Sequence, residues 1–258
     1  MKTTQFILTL ASATAAVIAL TVPAQADTLY NILTGQNREV GNNLHISPAD
    51  DVRGVADIVT ANQYWLGISD NSLASQTTYS LVTSTGASSS LTYTTSLGSG
   101  DWGSQGGTGS RIWESYNYRP SDGSFAGLDP AKTYDLYVLA NSFWGDRAGS
   151  QIHQTAGTGM SDFWINENGV ASNSALTFIQ DSNSANVIQV ANYALFTSLA
   201  PTAGGVLGFS YIAHGGRDGA NSVAGYQLVE HTAVPEPCTA VSLLGGLGML
   251  LGLRRRRE

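Results

Sequence analysis

Apolar and polar residues alternate in short runs between Tyr79 and Glu230, and glycine-containing turns separate the runs. Tyr79-Ser80-Leu81-Val82-Thr83 and Ser90-Leu91-Thr92-Tyr93-Thr94 alternate on either side of Gly86, which predicts a β-hairpin. Tyr134-Asp135-Leu136-Tyr137-Val138-Leu139 follows the turn chemistry of Leu128-Asp129-Pro130 and predicts another strand. Val187 to Phe196, Gly205 to Ile212 and Val223 to Val229 are rich in β-branched and aromatic residues, and predict a late meander. A helical period occurs once, from Ser47 to Thr60. There Val52, Val55, Ala56 and Val59 share one face behind the cap-like Ser47-Pro48, so a short helix is predicted. Repeated short strands without regular helices between them predict an all-β fold, an antiparallel β-sandwich of sheets packed face to face. Gly98 to Ser110 either joins strands of one domain or links two smaller sandwiches.

Composition narrows the class. The 258 residues are 42% apolar and 12% charged, with 29 Gly and one Cys. That charged share is about half the usual quarter, which excludes a coiled coil or a highly charged disordered chain. A single Cys excludes an intrachain disulfide framework and a Cys-rich zinc site.

The two ends carry a different pattern, and both read as hydrophobic helices. Lys2 precedes an uncharged apolar run from Phe6 to Val22, which ends in Pro23-Ala24-Gln25-Ala26. This is the form of a secretory signal peptide, with Ala24 and Ala26 as the small residues of a signal peptidase site and cleavage before Asp27. An uncleaved anchor helix is the alternative. At the other end, Val234-Pro235-Glu236-Pro237 precedes an uncharged stretch from Thr239 to Leu253 and then Arg254-Arg255-Arg256-Arg257. This tripartite tail resembles the PEP-CTERM sorting signal of bacterial surface proteins. The resemblance covers about the last 25 residues and implies exosortase as partner, cutting near the Pro-Glu-Pro triplet and leaving the protein at the envelope or outside the cell. Fifteen residues make a helix of roughly 22 Å, against a hydrocarbon core of about 30 Å, so membrane insertion is expected to be transient. The Arg cluster stays cytoplasmic by the positive-inside rule. A permanent anchor is the bland alternative, and Cys238 reads as an ordinary small residue. The expected organisation is therefore a signal peptide over 1–26, a β-sandwich over 27–232 and a sorting tail over 233–258.

Without its ends the chain is strongly acidic. From Asp27 to Pro237 it carries eighteen acidic and seven basic residues, a net of −11, with Lys132 its only lysine. Such a surface repels phosphate backbones, so nucleic acid is not an expected partner, whereas cations and neutral polymers are. Phe125-Ala126-Gly127-Leu128-Asp129-Pro130-Ala131-Lys132-Thr133-Tyr134 is similar to a corner of fibronectin type III domains, and equally to galactose-binding-like jelly rolls. Nearly a hundred residues follow that corner, too many for the fibronectin case. The resemblance therefore implies a jelly roll.

Candidate chemistry is sparse. Gly98-Ser99-Gly100-Asp101-Trp102-Gly103 has the spacing of a dinucleotide loop, but no helix pattern follows to meet a pyrophosphate. No nucleophile elbow, zincin motif or P-loop occurs, and His45, His153, His214 and His231 lack metal-ligand spacing. Glu39, Glu114, Glu167 and Glu230 offer no visible glycosidase pair, so the chain reads as non-catalytic, with a carbohydrate-active hydrolase as the alternative. Trp102 in a Gly-rich loop and Trp144 beside Asn141, Asp146 and Arg147 could stack on sugar rings and bond their hydroxyls, making exopolysaccharide the expected ligand. The competing reading folds both inward, and Trp65, Trp113 and Trp164 read as core or sheet-face residues. No catalytic metal or cofactor is expected. A structural calcium at Asp50-Asp51 or Asp70-Asn71 competes with plain turn capping.

Overall fold

The structure is a computed structural model. It describes residues 27–34, 55–56, 63–68, 76–96, 121–140, 150–165, 178–182, 191, 193–213 and 223–232. Asp27–Thr232 forms a compact unit of its own. Its strands are β1 (Thr28–Thr34), β2 (Leu66–Ile68), β3 (Thr77–Val82), β4 (Ser88–Thr95), β5 (Ser121–Ala126) and β6 (Thr133–Ala140). They continue with β7 (Ser150–Ala156), β8 (Phe163–Ile165), β9 (Tyr193–Leu199), β10 (Val206–Ala213) and β11 (Val223–His231). One sheet has the order β2-β1-β11-β6-β9 and the other β3-β4-β5-β10-β7-β8. Every pairing within them is antiparallel except that of β1 with β2. The described residues are all-β. Of the predicted helix Ser47 to Thr60 only Val55 and Ala56 are described, at a bend. The rest of it, and both terminal segments, lie outside the described residues.

Strands with strong alternation fall where the sequence puts them. The hairpin about Gly86 is β3–β4, and the later runs are β6, β10 and β11. Of the run predicted from Val187 to Phe196, Tyr193 to Phe196 belong to β9, and all the earlier residues but Ala191 lie outside the described residues. β5 is the instructive miss: Ser-Asp-Gly-Ser-Phe-Ala reads as a turn. It is a strand because β4 and β10 pair with it on both sides. Its glycine is required by packing. A Cβ on Gly123 would lie 2.4 Å from the Phe209 ring and 2.6 Å from the Tyr93 hydroxyl. Pairing of β4 with β5 also joins the strands that flank Gly98 to Ser110, and one core takes residues from both sides of that segment.

Alternation sends every second residue of each strand inward, and the two sheets share that core. Tyr226 of the first sheet has its ring centroid 5.6 Å from Tyr93, 5.3 Å from Phe209 and 6.1 Å from Tyr211, all in the second. Phe163 meets Phe196 edge-on at 5.5 Å at the other side. Tilted aromatic pairs of this kind contribute about 0.5–1.5 kcal/mol each beyond their buried area. Burial raises the pKa values of Tyr93, Tyr211 and Tyr226 well above that of a free phenol, so all three stay neutral. The Tyr211 hydroxyl, buried near that of Tyr226, has no hydrogen-bond partner that satisfies it.

The outer face of the first sheet is covered. Ala56 is fully buried against Leu29 and Val229, with Tyr137 packed beside them. Buried amides fix this cover: Gln227 accepts from the Ala56 N–H at 3.1 Å and donates to Asn31 at 2.8 Å. Asn31 in turn donates to Gln63 at 3.2 Å and to the Tyr64 carbonyl at 3.0 Å. The edges are tied as well, since the Ser84 N–H in the β3–β4 turn donates to the Leu29 carbonyl of the other sheet at 2.7 Å.

Two substitutions probe this packing in urea denaturation. Gly205 sits at φ +71°, and a Cβ there would lie 2.3 Å from the Leu128 carbonyl oxygen. Gly205→Ala is expected to cost more than about 1 kcal/mol. Tyr211→Phe removes a polar group that burial leaves unpaid, and is expected to leave stability unchanged or raise it by up to about 1 kcal/mol.

Candidate functional site

Strand direction divides the connections between two poles. At one pole lie the short turns β3–β4 (83–87), β5–β6 (127–132), β7–β8 (157–162) and β9–β10 (200–205). The residues that open and close the unit, Asp27 and Thr232, lie at this same turn pole, because Thr28 pairs with Glu230 and His231 with Thr133. At the opposite pole the strands end on long connections: 97–120 between β4 and β5, 141–149 between β6 and β7, and 214–222 between β10 and β11. The register places these ends together, with Thr95 opposite Gly123, Ser150 opposite Ala213 and Val223 opposite Ala140.

The sequence-predicted ligand residues belong to these long connections by chain position. Trp102 lies between β4 and β5; Asn141, Trp144, Asp146 and Arg147 lie between β6 and β7. All five are outside the described residues, as are Trp113, the two Asp turns considered for calcium, and Glu39, Glu114 and Glu167. So are Ala24, Ala26, Val234, Pro235, Glu236, Pro237 and Arg254 to Arg257. Trp65 is buried, as expected. Trp164 takes the sheet-face position of the two that its sequence allows. It pairs with Gln151, is half-buried and faces outward, because its neighbour Phe163 takes the inward position against Phe196.

Among the described residues the outer face of the second sheet is polar and partly exposed, which the sequence reading did not anticipate. Opposite the inward aromatics it presents Thr78, Ser80, Thr92, Thr94 and Ser124 in neighbouring strands, with Asp122 and His153 as its charged or ionisable groups. Thr78 and Thr94 pair their hydroxyls across the ladder at 2.8 Å. From β3 to β7 this face is about 19 Å wide at ~4.8 Å per strand. Its signal was the Ser/Thr half of the same alternation that marked the core, but polar positions also fit any solvated sheet.

At the turn pole, ionisable groups are already engaged. Glu230 is paired with Lys132 and receives the Tyr134 hydroxyl at 3.4 Å, while that hydroxyl accepts the Asp129 N–H at 2.9 Å. Burial pushes the Tyr134 phenol up, and the Glu230 and Asp129 charges add to the rise. On the opposite face of the sheet His231 lies between Asp27 and Asp135. His153 meets Asp162 on the surface. No group of His, Cys, Asp and Glu suited to a metal ion occurs among the described residues. No helix among them is long and apolar enough to cross a membrane.

No protein-family model, curated protein or solved structure matches the chain. The class rests on its own geometry: an all-β protein of two largely antiparallel sheets around one shared aromatic core. A check on the open face follows. Thr94→Lys and Ser124→Lys replace partly exposed side chains on that face, so the double variant is expected to stay within about 1 kcal/mol of the parent in urea denaturation.

Proposed function

We propose that this is an exported, non-catalytic protein of the cell envelope or extracellular matrix, a β-sandwich of jelly-roll topology with a structural or adhesive role toward neutral exopolysaccharide. The topology reading is supported by a nested pairing order. First pairs with last in β1–β11, then β5 with β10, β6 with β9 and β7 with β8. A long hairpin rolled over itself gives this order, which is how jelly rolls divide eight strands between two sheets. On this reading β2 and the β3–β4 hairpin are additions at the edges.

The observation that carries the function is the separation of the poles. Asp27 and Thr232 leave from the turn pole, whereas the connections holding Trp102 and Trp144 leave from the other. The strand ends that carry those connections are therefore not the ones by which the chain enters and leaves the unit. Tryptophan faces suit the C–H faces of sugars, and Asn141, Asp146 and Arg147 supply hydroxyl partners. The acidic unit repels anionic polymers and leaves neutral ones as the favoured class. Binding of this kind needs no acid–base pair, and Glu230 is already committed to Lys132.

Affinity electrophoresis through gels containing a panel of neutral and acidic polysaccharides tests the ligand. Retardation by a neutral polymer is expected, and Trp144→Ala is expected to weaken it about tenfold, equivalent to ~1.4 kcal/mol. Unchanged mobility across the whole neutral panel would overturn it. Fractionation of cells tests the sorting. Replacing Pro235-Glu236-Pro237 by alanines should leave the tail attached and the protein in the membrane fraction; identical mature mass and location would refute the exosortase route.

A further inference from the structure

The two ends of the folded unit meet in one cluster. His231, the last residue of β11, has Nδ1 3.0 Å from Oδ2 of Asp27 and Nε2 2.9 Å from Oδ2 of Asp135. A carboxylate only accepts, so satisfying both contacts requires both ring nitrogens to donate, and only the imidazolium can do that. The remaining carboxylate oxygens are used too. Asp27 Oδ1 accepts the Thr232 N–H at 3.3 Å, and Asp135 Oδ1 accepts the Ser198 N–H at 2.8 Å. Ser198 is the only described non-glycine residue at positive φ, at the irregularity where β9 departs from β6. One ring therefore ties the start of β1, the end of β11 and, through Asp135, a strained turn of β9.

We propose that His231 is a pH-dependent latch that closes the turn pole when protonated and releases it when neutral. Among the described residues the charged groups facing the ring are Asp27, ahead of β1, and Asp135 on β6. β9 contributes the uncharged Ser198. Glu230 points to the opposite face, where Lys132 holds it. Burial alone would lower the affinity of the ring for its proton, but the two carboxylates more than offset this and raise it above the ordinary histidine value. The sign follows from linkage. A raised folded-state value means that the stabilisation is complete below the unfolded value near ~6.5 and is lost as pH climbs through the folded value. A neutral ring keeps one N–H, so one of the two carboxylates loses its partner and the ends of β1 and β11 are freed to fray. The device does not rest on the proposed ligand; cleavage before Asp27 would add an α-amino group, with an ordinary value of about 7.7–8.0, to the cluster, so the test uses the chain with its first 26 residues in place.

The test is amide hydrogen exchange on the full chain at pH 5.5 and 8.5, expressed as protection factors so that intrinsic base catalysis is removed. Peptides from 27–34 and 226–232 are expected to lose protection several-fold at the higher pH relative to peptides of β10. His231→Gln should abolish that difference by lowering protection at pH 5.5 to the high-pH level, and Asp135→Asn should reduce it. In NMR, the His231 ring should titrate above the ordinary histidine value near ~6.5, and Asp27→Asn should lower its midpoint. Equal protection at both pH values, or a His231 midpoint at or below the ordinary histidine value near ~6.5, would overturn the latch.

Discussion

The contact of Tyr226 with Tyr93, Phe209 and Tyr211 is the constraint on which the rest depends. It is the place where two sheets, each with one apolar face, hide that face against the other. Large rings fill the space between the sheets, and the backbone yields to them: Gly123 has no side chain because Phe209 and Tyr93 occupy its place. The phenols also bring polar atoms into the interior. Their hydroxyls lie close to one another, and the chain leaves that of Tyr211 unsatisfied. A buried hydroxyl of this kind costs on the order of 1–3 kcal/mol, so the ring packing around it must more than offset that loss.

From that core the two outer faces diverge. One is closed by Ala56 and by the amide relay of Gln227, Asn31 and Gln63. The other remains an open hydroxylated sheet. Nested pairing sends the long connections to one pole and the ends of the unit to the other. The proposed latch lies at the pole of the short turns, and the strand ends that lead to the proposed adhesive residues lie at the other.

Legibility followed the range of the interaction. Hairpin β3–β4 was visible because alternation and Gly86 lie within a dozen residues. β5 was not, because its Ser-Asp-Gly-Ser start satisfies the chemistry of a turn, and only partners far along the chain make it a strand. For Trp164 the sequence left core and sheet face open; a one-residue offset from Phe163 puts it on the outer face of the sheet. The His231 cluster had no local signal, since Asp27 and His231 stand 204 positions apart.

The amino-acid sequence by itself determined the all-β class, the acidity of the unit and the terminal segments that carry the expectation of export, because each depends on composition or on a short contiguous pattern. Tertiary structure decided which strands are neighbours, which residues of each sheet face inward, and that Asp27 and Asp135 meet the two ring nitrogens of His231. Those outcomes are set by pairings between distant segments, whose register follows from the fit of rings in the shared core and leaves no trace in local spacing.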